Sequence, residues 1–342
     1  MKYSIGYQLP DEYFSTLELC NKYVGSVSDV YFAFGSEPSG RFSLCPLNDE
    51  NREKIETLQL EELKEVKRLG KTLTLLYNAN CYGENATSLQ LQRHITKLTG
   101  FLKRELDIDN ITTTSPVIAK IVKKEFGDSI KIRASVNMRV GSTFAMEQLA
   151  ENFDGYYLQK EYNRNFEQIK ILLKWCKENG KTLHILANSG CMQNCAFQTF
   201  HDNLIAHSIG QEGLDNINTG FPAPCHQYLS GIGPLKGITK FMQSNFIRPE
   251  EVYLYENLFS EMKLATRMHS RPQMVLAAYV RGSFKGNLLD ITEPSYSSLF
   301  KGYVLDNTKV SEEWKNNAYY CNKNCETCKV CENAVKNAVF KY

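Results

Sequence analysis

TLHILANSG, residues 182–190, combines a short β-branched and apolar run with an Asn-Ser-Gly ending, as expected for a strand that leads into a turn. Similar runs recur along the chain with amphipathic helical stretches between them, which is the pattern of parallel βα units. The eight runs are KYSIGYQL near residue 3, DVYFAFG from Asp29, TLTLLYNAN from Thr72, ITTTSP from Ile111, IKIRASV from Ile130, GYYLQ from Gly155, TLHILANSG from Thr182 and MKLATRM from Met262. Eight parallel strands predict an α/β fold, a (β/α)8 TIM-like barrel.

The segments between these runs support the barrel. The stretches ENREKIETLQLEELKEVKRLG (50–70) and NRNFEQIKILLKWCKENG (163–180) have apolar residues at helical spacing, and each ends in Gly. QMVLAAYVRG (273–282) predicts a closing helix after the eighth strand. The competing topology, a doubly wound open sheet, lacks a GxGxxG motif after the first strand.

Two regions lack this alternation of strand-like and helical runs. Residues 195–246 are rich in Gly, Asn, Pro and His, and we expect them to form an elaborated loop over the barrel mouth. Beyond residue 290 the chain has little periodicity and ends in a run of cysteines. We therefore divide the chain into a barrel (residues 1–290) and an irregular, Cys-rich C-terminal extension (residues 291–342).

The overall composition is that of an ordinary globular protein. Of 342 residues, 42% are hydrophobic and 23% are charged, and the net charge is only +2. This charge balance gives no support to nucleic-acid binding, although RNA stays open as a partner. The N-terminus MKYSIGYQLPDEYF lacks a long apolar segment, and no stretch is apolar enough to span a bilayer. We expect a cytoplasmic protein without a membrane partner.

The chain has 11 cysteines, which a cytosolic protein of this size does not need for disulfides. Four of them, Cys321, Cys325, Cys328 and Cys331, follow a CxxxCxxCxxC spacing in CNKNCETCKVC. Thiolates this closely spaced favour a [4Fe–4S] cluster, with zinc as the alternative. The first three also match the spacing of radical S-adenosylmethionine enzymes, but that motif follows the first barrel strand rather than standing in a C-terminal tail.

A second cysteine group follows the strand TLHILANSG. Cys191 and Cys195 come directly after it, and Cys225 follows in FPAPCHQY. Residues just past the carboxyl end of a barrel strand lie at the catalytic face. Cys81, after TLTLLYNAN, is our choice for a fourth ligand, and Cys45 is the runner-up.

The motifs LLYNANCYG, ITTTSP, ILANSGCMQNCAFQTFHDN, FIRPEEVYLYE and MKLATR, in this order before the cysteine-rich end, resemble the collagenase-like peptidase family, number thirty-two of the unclassified peptidases. The resemblance covers nearly the whole chain. It implies a TIM-barrel iron–sulfur protein with a [4Fe–4S] cluster held by thiolates at strand ends, where Cys191 and Cys195 match the paired ligands. The C-terminal CxxxCxxCxxC belongs only to a subset of the family.

Other polar residues at strand ends are candidates for substrate contacts or catalysis. Asn78, Asn80 and Asn188 could hydrogen-bond a substrate or simply form turns, and His201 could bind a cluster, transfer a proton or cap a helix. His226 has the same ambiguity as His201. Arg267 should emerge at the barrel mouth and could grip an anion, whereas Arg248 could instead form a salt bridge with Glu250 or Glu251.

These observations predict an iron–sulfur enzyme that acts on a small molecule or a modified biomolecule. Family members that are understood support oxygen-independent hydroxylation of ubiquinone precursors or RNA bases, with prephenate implicated as an oxygen donor for some, and the resemblance implies related redox chemistry here. The alternatives are a non-catalytic electron-transfer or scaffold subunit with a protein partner, and an RNA-modifying enzyme. Peptidase activity is not expected, because HExxH and GxSxG are absent and no cysteine outside the cluster candidates has an evident His and Asn partner.

Overall fold

Eight parallel strands form the centre of the protein, as predicted. The structure, a computed structural model, describes residues 1–41, 51–207 and 224–342. The strands are β1 (Lys2–Gly6), β2 (Val27–Phe32), β3 (Thr72–Tyr77), β4 (Asn110–Thr113), β5 (Lys131–Ala134), β6 (Gly155–Tyr157), β7 (Thr182–His184) and β8 (Glu261–Lys263). Each lies within or beside one of the eight runs identified in the sequence. Their spatial order is β7-β6-β5-β4-β3-β2-β1-β8.

Hydrogen bonds between the two end strands close this sheet into a barrel. The backbone N–H of Lys263 donates to the carbonyl of Ile185, and the N–H of Ala187 donates to the carbonyl of Lys263, both at 2.9 Å. A parallel bridge pairs Leu186 with Lys263. The predicted (β/α)8 TIM-like barrel is confirmed.

Helices follow the strands and pack on their sequence neighbours, α1 on α2, α2 on α3 and α3 on α4 in turn. They are α1 (Thr16–Lys22), α2 (Arg52–Arg68), α3 (Leu89–Leu106), α4 (Pro116–Phe126), α5 (Thr143–Leu149), α6 (Phe166–Glu178), α7 (Gln198–Ala206), α8 (Pro224–Gly231), α9 (Pro234–Met242) and α10 (Pro272–Arg281). Gly70 and Gly180, beyond the ends of α2 and α6, have φ values of 75° and 64°, which a residue with a side chain rarely adopts. No helix in the described ranges is long and apolar enough to cross a membrane.

The barrel interior contains polar groups that bond to one another. Asp29, which is 1% exposed, accepts hydrogen bonds from the hydroxyls of Ser4, Thr72 and Thr74. Because every carboxylate oxygen has a hydroxyl donor, this buried charge is stabilised without an ion pair. Apolar side chains pack between the strands and the surrounding helices.

The C-terminal region is more regular than the sequence predicted. Residues 291–342 contain β9 (Tyr303–Leu305), α11 (Glu312–Ala318), α12 (Val330–Ala338) and β10 (Val339–Lys341), and β9 and β10 pair antiparallel. α12 packs on α9 of the barrel. The predicted Cys-rich C-terminal extension is present, and it contains these short helices and strands between irregular segments. The division at residues 290 and 291 stays a prediction.

Buried arginines fasten this region to the barrel. The Arg164 guanidinium lies 4.7 Å from the ring centre of Trp314, 4.9 Å from that of Phe246 and 5.6 Å from that of Tyr319. Cation–π contacts of this kind are strongest when water is excluded. A barrel residue thus contacts two aromatic rings of the C-terminal region, those of Trp314 and Tyr319.

Arg248 makes a second attachment. It is 1% exposed, and its guanidinium bonds to Glu251 at 3.0 Å and to the Asn307 side chain at 2.8 Å. Glu250 lies 3.4 Å from the same guanidinium. Arg248 therefore forms a structural salt bridge, which the sequence analysis gave as the alternative to binding an anion.

Replacing this arginine tests the attachment. We expect Arg248→Met to lower the free energy of unfolding by about 3–5 kcal/mol, because Glu251 is left buried without its counter-charge. The control is Arg271→Met, which breaks an ion pair whose arginine side chain is 53% exposed and should cost at most about 1 kcal/mol. Denaturant unfolding measures both, and equal effects would contradict the structural role.

Asn188 holds the closed barrel to the start of the C-terminal region. It is fully buried, and its amide donates to the carbonyls of Ala265 at 3.1 Å and Ile291 at 3.0 Å. Its side-chain oxygen accepts from the N–H of Ala265 at 2.6 Å. One side chain therefore joins three segments of backbone.

Asn188→Ala should destabilise the protein by about 2–3 kcal/mol, because it leaves buried backbone groups without partners. Asn316→Ala, on the exposed face of α11, is the control and should change stability by no more than about 0.5 kcal/mol. Thermal unfolding followed by circular dichroism compares the two. A small effect of the Asn188 change would show that the closure does not depend on this side chain.

Candidate functional site

Three of the predicted ligands meet at the carboxyl ends of the strands. Cys191, Cys195 and Cys225 line a cavity of about 370 Å³, here called the mouth cavity. Its other lining side chains include Arg41, His201, Asp202, Glu293 and Tyr296. One cavity is therefore lined by thiols from the segment after β7 and from α8.

The charges around Cys191 favour its thiolate. Burial alone raises the pKa of this thiol, but Lys160, Arg41 and a hydrogen bond from Ser189 outweigh burial and hold the pKa below its usual range. Burial raises the pKa of the Cys225 thiol to about 11. Positive charges therefore act on the Cys191 thiol, whereas burial dominates the environment of the Cys225 thiol.

Two groups from α7 complete the polar part of the cavity. Burial lowers the pKa of His201 and raises that of Asp202. The Asp202 Oδ2 atom is buried and has no hydrogen-bond partner among the described residues. His201 lies inside α7 and does not cap it. His201 and Asp202 therefore line the mouth cavity together with the cysteines, and burial disfavours the charged form of each side chain.

An ion pair separates the mouth cavity from a smaller one inside the barrel. The Arg41 guanidinium bonds to Glu293 at 2.9 Å, and both residues line both cavities. The smaller space, here called the inner cavity, has a volume of about 60 Å³. Its lining includes Tyr31, Asn78, Thr112, Tyr157, Lys263 and Arg267.

The inner cavity contains two of the predicted catalytic residues. Asn78 reaches it and accepts a hydrogen bond from the N–H of Gly40 at 3.0 Å. Arg267 also reaches it, and burial lowers the pKa of its guanidinium to about 10. A Cβ at Gly6 would lie 2.6 Å from Arg267, so only glycine lets β1 pass this close.

Other predicted residues lie elsewhere. Asn188 lines neither cavity, because its amide is fully used in backbone hydrogen bonds, and this corrects the expectation of a substrate contact. His226 packs edge-on against Tyr296, with ring centres 5.6 Å apart. Cys81 lines a different cavity, beside Glu37 and His94. The structure therefore does not place Cys81 with the other three thiols, and Cys45 lies outside the described residues.

The four tail cysteines form the second group. Cys321, Cys325, Cys328 and Cys331 line one cavity with Arg164 and Trp314, next to the attachment of the C-terminal region. A further cavity of about 520 Å³ is lined by both Cys195 and Cys325. We call it the bridging cavity, because it has one lining cysteine from each group.

The donor sets suit a cluster of several irons. In residues 1–41, 51–207 and 224–342, no three His, Cys, Asp or Glu side chains are arranged to hold one metal ion. The cysteines of a [4Fe–4S] cluster each bind a different iron, so they stand farther apart than the ligands of a single ion. The mouth has three thiols and the tail has four, and thiolates are the ligands by which such a cluster would be held.

Sequence reasoning missed four charged residues of the site. Lys160 begins a short 3-10 helix and Arg41 lies in a loop, neither within a recognisable motif, and Glu293 falls in the segment assigned to the extension. Lys263 could have been identified from the sequence. It lies four residues before Arg267 in MKLATRM, and the two-residue period of a strand places both side chains on the inward face.

Comparison with known proteins gives one sequence relative and one shared fold. An uncharacterized protease of Methanocaldococcus jannaschii is 26% identical over 275 residues, which are 78% of this chain and 76% of that protein. The solved structure of the U32 peptidase Mk0906 matches with a TM-score of 0.52 at 14% identity, over 78% of this chain and 92% of the other, and shows the common barrel. No family model matches. The sequence relative and the shared barrel support a relationship of this chain to the U32 peptidase family, which its cysteine motifs also resemble.

Proposed function

We propose that this protein is a redox enzyme with two [4Fe–4S] clusters that modifies a small molecule at the barrel mouth. The observation that carries the proposal is the bridging cavity, which is lined by one cysteine from each group, Cys195 and Cys325. One cysteine group is beside the candidate substrate cavities, and the other is near the surface, where Cys328 is exposed. This arrangement favours electron entry at the tail and use at the mouth.

The chain's own residues would prepare each cluster site. Lys160 and Arg41 favour the thiolate of Cys191, which is the form that binds iron. Lys323 and Arg164 supply positive charge at the tail cysteines, where they oppose the burial that raises the pKa of Cys325 and Cys331. A bound cluster would supply one-electron transfer at each site.

The mouth and inner cavities would hold the substrate. The Arg41–Glu293 pair forms their common wall, and Asn78 and Arg267 offer an amide and a guanidinium to a polar ligand. His201 and Asp202 stand on the side of the cysteines, where they could take up or release a proton. Oxygen-independent hydroxylation, expected from the family resemblance, is the reaction class that we propose.

Metal analysis of protein purified without oxygen tests the proposal. We expect about eight iron and eight acid-labile sulfide per chain, with charge-transfer absorbance of thiolate-bound iron. Zinc in place of iron would refute it. The double variants Cys191→Ser/Cys195→Ser and Cys321→Ser/Cys328→Ser should each retain about four iron, because each removes one cluster site.

Single variants decide the fourth ligand of the mouth cluster. Cys81→Ser should leave the iron content unchanged, because Cys81 lines another cavity. Cys45→Ser is the parallel variant for the sequence-based runner-up. Cys176→Ser, in the apolar core, is the control for loss of a thiol that binds nothing. Loss of four iron in Cys81→Ser would overturn our placement of this residue.

Peptidase activity is the second candidate, since the sequence relative is described as a protease. The mouth cavity contains a thiol of lowered pKa, Cys191, together with His201. A thiol–imidazole pair in hydrogen-bond contact is required for such chemistry. In the structure Cys191 instead accepts from Ser189, which disfavours this candidate.

Cleavage of unfolded casein by iron-free protein separates the two candidates. We expect no cleavage above that of the double variant Cys191→Ser/His201→Asn. Cleavage that each single change abolishes would establish the peptidase and contradict the redox proposal.

A further inference from the structure

Lys263 places an amine at the centre of the barrel, at the floor of the inner cavity. Its Nζ atom lies 3.7 Å from the ring centre of Tyr31 and 4.9 Å from that of Tyr157. The tyrosine rings come from β2 and β6, so the amine is held between opposite sides of the barrel. In (β/α)8 barrels, ligands bind at the carboxyl ends of the strands, where this amine lies.

The neighbouring carboxylates are engaged with other partners. Asp29 accepts from three hydroxyls, Glu261 accepts from Ser28, and Glu293 pairs with Arg41 and accepts from the N–H of Met268. Lys263 therefore has aromatic faces rather than a carboxylate as its nearest neighbours. An amine in this setting is not held in its charged form by an ion pair.

Burial lowers the pKa of Lys263 to about 7. Asp29 opposes this shift, whereas the positive charges of Arg267 and Arg133 add to it. An ordinary lysine has a pKa near 10.4 and is almost wholly protonated at neutral pH. A large share of Lys263 is thus a free amine there, and a free amine is a nucleophile toward carbonyl carbon.

The rest of the inner cavity is suited to a ligand that also has a negative charge. Lys263, Ala265 and Arg267 alternate along the chain and all line this cavity. The Arg267 guanidinium therefore lies at the same cavity as the Lys263 amine. Thr112, 1% exposed, has a hydroxyl that lacks a hydrogen-bond partner among the described residues. A carboxylate would pair with the guanidinium, and a carbonyl-derived oxygen could accept from the hydroxyl.

We propose that the inner cavity binds a small 2-oxo acid, whose carboxylate pairs with Arg267 and whose keto carbon forms an imine with Lys263. The amine nitrogen bonds to the keto carbon, and the carbon–oxygen bond then breaks. The oxygen leaves as water with the two hydrogens of the amine, so the step needs no oxidant or reductant. This activity goes beyond the proposed redox function and does not use the cysteines.

The cavity size limits the ligand. At about 60 Å³ the inner cavity is much smaller than the mouth cavity, which has a volume of about 370 Å³. Among 2-oxo acids, those of two or three carbons, glyoxylate and pyruvate, are therefore the best match. A longer chain would have to displace the Arg41–Glu293 pair toward the mouth cavity.

Reductive trapping tests the proposal with the full-length protein. Pyruvate and sodium cyanoborohydride are added at pH 7, and the modified lysines are identified by peptide mass spectrometry. We expect Lys263 to be labelled at least tenfold faster than surface lysines. Labelling spread evenly over surface lysines, or none at Lys263, would overturn the inference.

Variants separate the two contacts of the ligand. Lys263→Arg replaces the amine with a guanidinium, which does not form an imine with a keto carbon here, and should remove the label. Arg267→Met should slow trapping of pyruvate at least tenfold and leave trapping of acetone, which lacks the carboxylate, within twofold. Lys71→Arg is the control, because Lys71 is another buried lysine but bonds to the carbonyl of Val24. Circular dichroism verifies that each variant is folded, and equal slowing of both probes would contradict the role of Arg267.

The pH dependence gives an independent readout. The free amine of Lys263 increases little above about pH 7, whereas that of a surface lysine keeps increasing to about 10.4. The effect of pH on the reductant is common to all lysines, so the ratio of labelling at Lys263 to labelling at surface lysines should fall as the pH rises from 7 to 9. The titratable and charged groups facing this amine are Asp29 and Tyr31 from β2, Arg133 from β5, Tyr157 from β6, His184 from β7, Glu261 and Arg267 from the β8 segment, and Arg41 and Glu293 above it. A ratio that stays constant over this range would refute the free amine at neutral pH.

The same assay on iron-free protein keeps the two proposals apart. Labelling of Lys263 in a chain that binds no iron under any condition would refute the redox function and support this inference. Clusters at full occupancy without labelling would overturn this inference alone.

Discussion

The closure of the barrel between β7 and β8 is the constraint on which the other features depend. The backbone bonds of Lys263 with Ile185 and Ala187 fix the last strand against the seventh. Asn188 extends this seam to Ala265 and to Ile291. Because Cys191 follows three residues later and Arg267 two residues beyond Ala265, the same seam positions the mouth cavity and the inner cavity. Structure and candidate chemistry thus share one set of hydrogen bonds.

The barrel could be predicted because its signal is local. Each strand has its own apolar run, and glycines such as Gly70 and Gly180 mark helix ends by a backbone conformation that other residues avoid. The order of the C-terminal region could not be predicted, since its helices and strands depend on distant partners such as Arg164 and Arg248. A short segment with little periodicity reveals nothing about such contacts in its sequence.

The candidate site also has residues that could be predicted from the sequence and residues that could not. The cysteines were evident because thiols in close spacing have few structural uses, and three of the four mouth candidates do meet. Cys81 was grouped with them because it follows a strand, but a barrel mouth is wide enough for two strand ends to face different cavities. Arg41, Glu293 and Lys263 act through proximity across the fold, and charged residues are too common for sequence position alone to single them out.

Glu293, Pro294 and Tyr296 form part of the wall of the mouth cavity, although they follow all eight strands in the sequence. A ribosome therefore completes the barrel strands before it completes the compartment that they support. Until the residues after 290 have emerged, the thiols after β7 lack this wall and stay open to solvent. The compartment around these thiols is therefore assembled from two parts of the chain that are far apart in sequence.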